Sequence, residues 1–287
     1  MVDFKNAEEL LTYCGENGKR ISDVMKQREC DLGEVSMEQI CGRMQQVLEI
    51  MRQSALTPLK TPVKSVGGLI GGESGKLVSY QNQGKSICGK VLGHGITYAM
   101  AVLEVNASMG VIVAAPTAGS AGIVPGLLLA LQEAYGFSDE QMVDALFHAG
   151  AIGYLAMRNA TVAGAVGGCQ AEVGVASAMA AAAAVELMGG EPKQSLDAAS
   201  TVLMNMLGLV CDPVGGLVEY PCQNRNAAGV ANALIAAELA LSGIQQLIPF
   251  DEMLDTMYQV GKRIPYELRE TALGGCAVSP SGCRLCH

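Results

Sequence analysis

The chain has 287 residues, of which 50% are apolar and only 16% charged, with a net charge of −9. That length holds one large domain or two small ones, and so few charges, against about 25% in ordinary domains, imply a compact unit whose surface is partly covered by a partner. The acidic balance, with no cluster of Lys and Arg, excludes nucleic-acid binding through phosphate contacts.

The N-terminus, Met1-Val-Asp-Phe-Lys-Asn6, lacks the basic region and apolar run of an export signal. The longest low-charge stretch, Val173–Val185, is shorter than the ~20 residues of a membrane span. The expectation is a cytoplasmic protein with no membrane contact. Its ten cysteines then serve as metal ligands or buried thiols rather than disulfides. Aromatics are scarce and Gly and Ala abundant, which predicts close helix-on-helix packing.

Residues 1–58 read as an N-terminal helical appendage. Ser36-Met-Glu-Gln39 forms a capping box, Ile40, Met44, Val47 and Met51 follow at helical spacing, and Thr57-Pro58 and Thr61-Pro62 are expected to end that helix and open a linker. Residues 59–275 form the main domain. A glycine-rich stretch at 63–77 reads as a loop. It is not a phosphate loop: for Lys85-Ser86 the Walker pattern requires glycine at position 79, which is Ser79. Helices are expected at about 88–109, 123–135, 139–157, 171–188, 193–209, 226–246 and 251–263. Ser138–Gln141 is a second capping box, and Asp251 is a candidate cap for the last of these helices. The only strand signal is Val111–Ala115. The fold class is mainly α: a single all-helical domain with a Cys-rich tail at 276–287.

Three histidines are present. His148 falls in an apolar helix, where a packed core histidine is the favoured reading. His94 lies between two glycines and is a candidate for chemistry, and His287 is the last residue. Among the cysteines, Cys283 and Cys286 make one C-x-x-C pair, a weak zinc signal without a second pair. Cys14, Cys30, Cys41 and Cys88 read as buried or incidental thiols. Cys169, Cys211 and Cys222 each stand beside Gly or Pro at an expected helix boundary, where free backbone N–H groups stabilise a thiolate. Their spacing matches no zinc ribbon and no ferredoxin, and leaves a metal set and three buried thiols as equal alternatives.

Four segments carry a resemblance: Glu104-Val-Asn-Ala-Ser-Met-Gly110, Ala115-Pro-Thr-Ala-Gly-Ser-Ala-Gly122, Gly168-Cys-Gln-Ala-Glu-Val-Gly174 and Cys211-Asp-Pro-Val-Gly-Gly-Leu-Val-Glu-Tyr-Pro-Cys222. In this order they resemble the α subunit of iron–sulfur L-serine dehydratases, over about residues 60–275. The resemblance implies a helical catalytic domain whose helix-boundary loops hold a [4Fe–4S] cluster on Cys169, Cys211 and Cys222. One iron is then left open as a Lewis acid for loss of the β-hydroxyl of L-serine, giving pyruvate and ammonia. No pyridoxal phosphate is implied. With the resemblance, Thr117, Ala118, Gly119 and Ser120, a turn before a helix, become the expected carboxylate site, although an ST-turn that only caps the helix has the same sequence. Asn106, Lys85, His94, Glu172, Asn224 and Arg225 follow as further candidates, Lys85 and His94 among them for the catalytic base, which the sequence leaves unassigned. Arg225 and Asn226 are alternatively supports for the Cys222 loop.

The sequence departs from the family pattern at Glu73-Ser74 after the glycine pair and in the tail, where Cys286 is a candidate resting-state fourth ligand. Nothing in it resembles the family's second portion, so a separate β subunit is expected to complete the active site. Cysteine desulfuration and threonine dehydration on the same scaffold remain alternatives, as does a non-catalytic zinc-binding subunit.

Overall fold

The structure is a computed structural model that describes residues 1–284. The helices are α1 (Ala7–Asn17), α2 (Ile21–Gly33), α3 (Met37–Lys60), α4 (Glu73–Gln81), α5 (Gly89–Ala107), α6 (Ile123–Tyr135), α7 (Asp139–Asn159), α8 (Gly164–Gly167), α9 (Val175–Leu187), α10 (Pro192–Asn205), α11 (Cys222–Leu241), α12 (Phe250–Arg263) and α13 (Pro280–Arg284). Both capping boxes form: Ser36 and Ser138 each accept from the amide three residues on, while Gln39 and Gln141 reach back to the cap amide.

Helix α9 is the hub. Every residue from Val175 to Val185 is buried, because α6, α7, α10 and α11 surround it. A run of alanines at 180–184 suits this position, since a side chain of one carbon lets neighbouring helices approach from every direction. Helices α5, α6 and α11 pack against one another on one flank, and α10 and α12 on another. The N-terminal helices join the same core, with Phe4, Leu10, Ile21 and Leu48 fully buried.

Three local expectations are corrected. No strand forms among the described residues, and Val111–Ala115 is extended chain without a partner strand; the one β-bridge joins Cys211 to Arg269. Helix α3 runs through Pro58 and ends at Lys60 with Thr61 as its cap, so of the two Thr-Pro pairs only Thr61-Pro62 stops it. A proline in the last turn forfeits only one intrahelical bond, and burial of Pro58 holds that turn in place. Asp251 does not cap its own helix, whose cap position is Pro249. Its carboxylate instead accepts from the amides of Ala7 and Glu8 at the start of α1, joining the two ends of the chain. No helix of the described residues is long and apolar enough to cross a membrane.

His148 is fully buried, as its apolar helix predicts, and its Nδ1 lies 2.7 Å from Glu186 Oε2. Burial works against the Glu186 charge. The His148 imidazole and the Ser22 donors outweigh that and hold the carboxyl below its usual range. A carboxyl depressed in the folded state stabilises above its unfolded pKa, and that contribution is lost as pH falls through the folded value. Glu186→Gln should therefore lower stability near neutrality by about 1.5–3 kcal/mol. In denaturant melts at a series of pH values, the difference from wild type should shrink below about pH 4.

Candidate metal and active site

Cys169 lies between α8 and a π-helical turn, Gln170–Gly174, that leads into α9. Such turns widen the backbone and re-aim side chains, and they gather at functional sites. Buried Gln170 fixes this one: its Oε1 accepts from Gly208 N, its Nε2 donates to Met257 O, and its own amide donates to Leu209 O. The turn is thereby tied to the chain that arrives at Cys211. Cys211 is not at a helix boundary as expected. Helix α10 ends at Asn205, and Cys211 sits in an extended segment, donating from its amide to Leu268 O and accepting from Glu270 N. Cys222 is the first residue of α11, where unpaired amides favour negative charge.

All three sulfurs are buried. Ligand atoms of Cys169, Glu172 and Cys211 lie within 4.8 Å of one another, and Glu172 Oε2 is 3.8 Å from Cys211 Sγ. Cys222 stands outside that tight group, but its thiol feels the charges of Cys169, Glu172 and Arg225. A hydrogen bond from Cys211, aided by Arg225, pulls the Cys169 thiol below its ordinary pKa against the effect of burial. The same hydrogen bond holds the proton on Cys211 and raises it, and burial with the Cys169 charge pushes Cys222 up to about 12. Arg225 supplies the local cation. Its Nη1 donates to Cys169 Sγ at 3.5 Å and to Val210 O at 2.9 Å, while Nη2 pairs with buried Asp212 at 2.7 Å.

The Thr117–Ser120 turn meets this site directly. Thr117 Oγ1 donates to Glu172 Oε1 at 2.8 Å and lies 3.1 Å from Ser120 Oγ. Burial raises the Glu172 carboxyl above its usual range. Asn106 Nδ2 donates to Ala118 O. The amides of Thr117, Ala118 and Gly119 have no acceptor among the described residues. Asn226, fully buried, joins the turn to the cysteines: Nδ2 donates to Gly119 O and Cys222 O, and Oδ1 accepts from Gly122 N.

The structure thus brings together Cys169, Cys211, Cys222, Thr117, Ala118, Gly119, Ser120, Asn106, Glu172 and Arg225. It does not bring Lys85 or His94 to them. Lys85 is in the exposed loop before α5, and His94 pairs with Glu133 at the opposite end of α5 from Asn106, about 18 Å away at 1.5 Å per residue. Cys286 lies outside the described residues. Asp212 was not singled out from sequence; an acidic residue beside a cysteine in a charge-poor stretch was the available signal.

The residues fit a metal–sulfur group. Buried thiols, a guanidinium and a widened turn converge, and Gly164 keeps one wall free: a Cβ there would fall 2.5 Å from Glu172 Oε2 and 3.2 Å from Cys211 Sγ. Residues 16–277 match the family described as the serine dehydratase alpha chain. The chain belongs to that family. Over 98% of its length it is 49% identical to the probable L-serine dehydratase alpha chain of Bacillus subtilis, covering 94% of that protein. It is 45% identical to the L-serine dehydratase alpha chain of Peptoniphilus asaccharolyticus, covering 97% of this chain and 96% of that one. To the L-serine dehydratase of Haemophilus influenzae it is 35% identical, spanning 96% of this chain but 61% of that longer protein. Family membership makes the chain part of an enzyme, a lyase.

Because Asn226 joins turn and cysteine helix, Asn226→Ala leaves the buried Gly122 amide and the part-buried Gly119 carbonyl without partners, a loss of about 2–4 kcal/mol. Chemical denaturation should show that drop with an unchanged slope, and hydrogen exchange should rise first at Gly122.

Proposed function

We propose that the chain is the cluster-bearing subunit of an L-serine dehydratase that converts L-serine to pyruvate and ammonia, with Cys169, Cys211 and Cys222 holding a [4Fe–4S] cluster. The observation that carries this reading is the grouping of buried Cys169 and Cys211 with Glu172 and Arg225, with buried Cys222 opening the helix that carries Arg225, beside a turn with free amides, in a chain of the serine dehydratase alpha-chain family. When bound, the cluster supplies a Lewis-acidic iron that assists departure of the substrate hydroxyl.

The protein's own residues bind and orient. The amides of Thr117, Ala118 and Gly119 and the hydroxyl of Ser120 donate to the substrate carboxylate, the Thr117 hydroxyl stays on Glu172, and Asn106 holds the turn in shape. Glu172, fixed by Thr117, accepts from the substrate ammonium. Arg225 orients Cys169 and balances thiolate charge, with Asp212 holding the guanidinium in place. The cysteines and Ser120 lie buried away from water, which strengthens the contacts made there, while Ala118 is exposed. The acceptor of the α-proton is assigned to a β subunit, since Lys85 and His94 stand away from the site. That partner is supported by the alpha-chain names of the near-full-length relatives and by the longer single-chain relative, of which this chain spans about three-fifths. The domain division at 59–275, with a tail from 276, and a resting-state role for Cys286 belong to the same proposal. The tail is carried toward the cysteines: Cys276 N donates to Asp212 Oδ2, and α13 packs on Val214–Gly216.

A second reading rests on one feature. The tight grouping of Cys169, Glu172 and Cys211 suits a single ion such as zinc, which takes thiolate and carboxylate ligands.

Anaerobic co-expression with a β chain and an assay of serine, threonine and cysteine separates the alternatives. Pyruvate from serine is expected to dominate; faster sulfide release from cysteine would favour desulfuration. Cys169→Ser, Cys211→Ser and Cys222→Ser should each lower turnover at least about a hundredfold, by analogy with the loss of other metal-site groups, and should bleach broad absorption near 400 nm while far-UV circular dichroism is retained.

A further inference from the structure

The segment between Cys211 and Cys222 contains Gly215 and Gly216, both at positive φ (65° and 70°). Such a glycine pair leaves the segment free to take many conformations, yet it has to present two sulfurs in fixed positions. Two buried carboxylates restrain it by reaching outward to distant backbone. At the Cys211 end, Asp212 takes the Cys276 amide. At the Cys222 end, Glu219, only 3% exposed, takes three donors from the glycine-rich loop: Ser65 Oγ at 2.7 Å, Gly67 N at 2.6 Å and Leu69 N at 2.8 Å.

The contacts on either side of Glu219 define an order of layers. Leu217 lies against Gly67 on the outer side, leaving no room for a Cβ there, and Val218 lies 3.5 Å from where a Cβ of Gly119 would fall on the inner side. Residues 217–219 are thus held between the glycine loop and the turn that faces Glu172. A second carboxylate secures the far end of the loop: fully buried Glu104 accepts from Ser74 N and Ser74 Oγ, and Gln223, next to Cys222, donates to it. The glycine loop, which has no phosphate-loop sequence, is therefore bonded at both ends to residues that flank Asn106 and Cys222.

We propose that Glu219 is a positioning residue that presents Cys222, with the glycine loop as its brace rather than as a ligand-binding loop. This rests on the reading of Cys222 as a metal ligand, but its first test needs no metal. In the full-length metal-free chain, the alkylation rate of each cysteine is followed by peptide mapping. Preorganised ligands lose their fixed setting when their support is removed, and local opening exposes only the affected segment. Glu219→Gln should raise the Cys222 rate about tenfold and speed amide exchange at Gly67 and Leu69. Cys14, buried on α1 far along the chain, should stay at the wild-type rate. Ser65→Ala, which removes one loop donor and leaves the carboxylate, should shift Cys222 in the same direction by less, and Glu219→Asp should restore part of the protection.

The second readout is iron release to a chelator from the anaerobically reconstituted chain, expected to be several-fold faster in Glu219→Gln. Equal alkylation of Cys222 in wild type and both loop variants would overturn the proposal, as would a parallel rise at Cys14, which marks general loosening. If the wild-type chain takes up no iron while the alkylation pattern appears as described, the ligand reading fails and the positioning role of Glu219 stands.

Discussion

The side-chain amide of Asn226 is where the two halves of the site meet. Its oxygen accepts from Gly122, and its nitrogen donates to the carbonyls of Gly119 and Cys222, so the turn beside Glu172 and the helix that begins at Cys222 move as one body. A carboxamide suits this role because it offers both a donor and an acceptor; aspartate would lack the donor and leucine both. Deep burial raises what is at stake, since each of these backbone groups is costly to leave unpaired.

The rest of the site follows from keeping thiols and carboxylates together in a charge-poor interior. Close-set anions are unfavourable there unless protons or cations balance them. The protein answers with one guanidinium, Arg225, set between Cys169 and Asp212, and with a proton kept on Cys211 beside Cys169. Metal binding replaces such protons, so uptake of a metal by these thiols would release them. The surrounding acids, Asp212, Glu219 and Glu104, are spent on backbone amides and hydroxyls. In a chain with so few charges, these three acids are structural fasteners.

Much of this was legible in the sequence. Helical periodicity and two capping boxes placed the expected helices within about five residues, because amphipathic spacing and local cap chemistry are properties of short windows, whereas α4 begins at Glu73, inside the stretch read as a loop. The alanine run at 180–184 marked a buried helix for the same reason. The extended chain at Val111–Ala115 looked like a strand because strand pattern is local, whereas strand formation needs a partner, and none is present among the described residues. Pro58 misled because its effect depends on its place in the helix. Asp251 looked like a cap for its own helix and caps α1 from the other end of the chain. At the site, the cysteines were set apart by their neighbours Gly and Pro, but spacing alone did not separate metal ligands from buried thiols. The roles of Asp212 and Glu219 depend on contacts across 64 and about 150 residues of chain, which no local pattern carries.

The central claim is that Cys169, Cys211 and Cys222 together hold an iron–sulfur cluster in this chain. The direct measurement is iron, acid-labile sulfide and zinc content of the anaerobically reconstituted protein, with Mössbauer spectra of the iron-57 form. The account predicts iron and sulfide in the equal ratio of a cubane, no stoichiometric zinc, and loss of that signal when any one of the three cysteines becomes serine. A colourless protein holding one zinc ion, retained when Cys222 is replaced and lost when Glu172 is replaced, would contradict it.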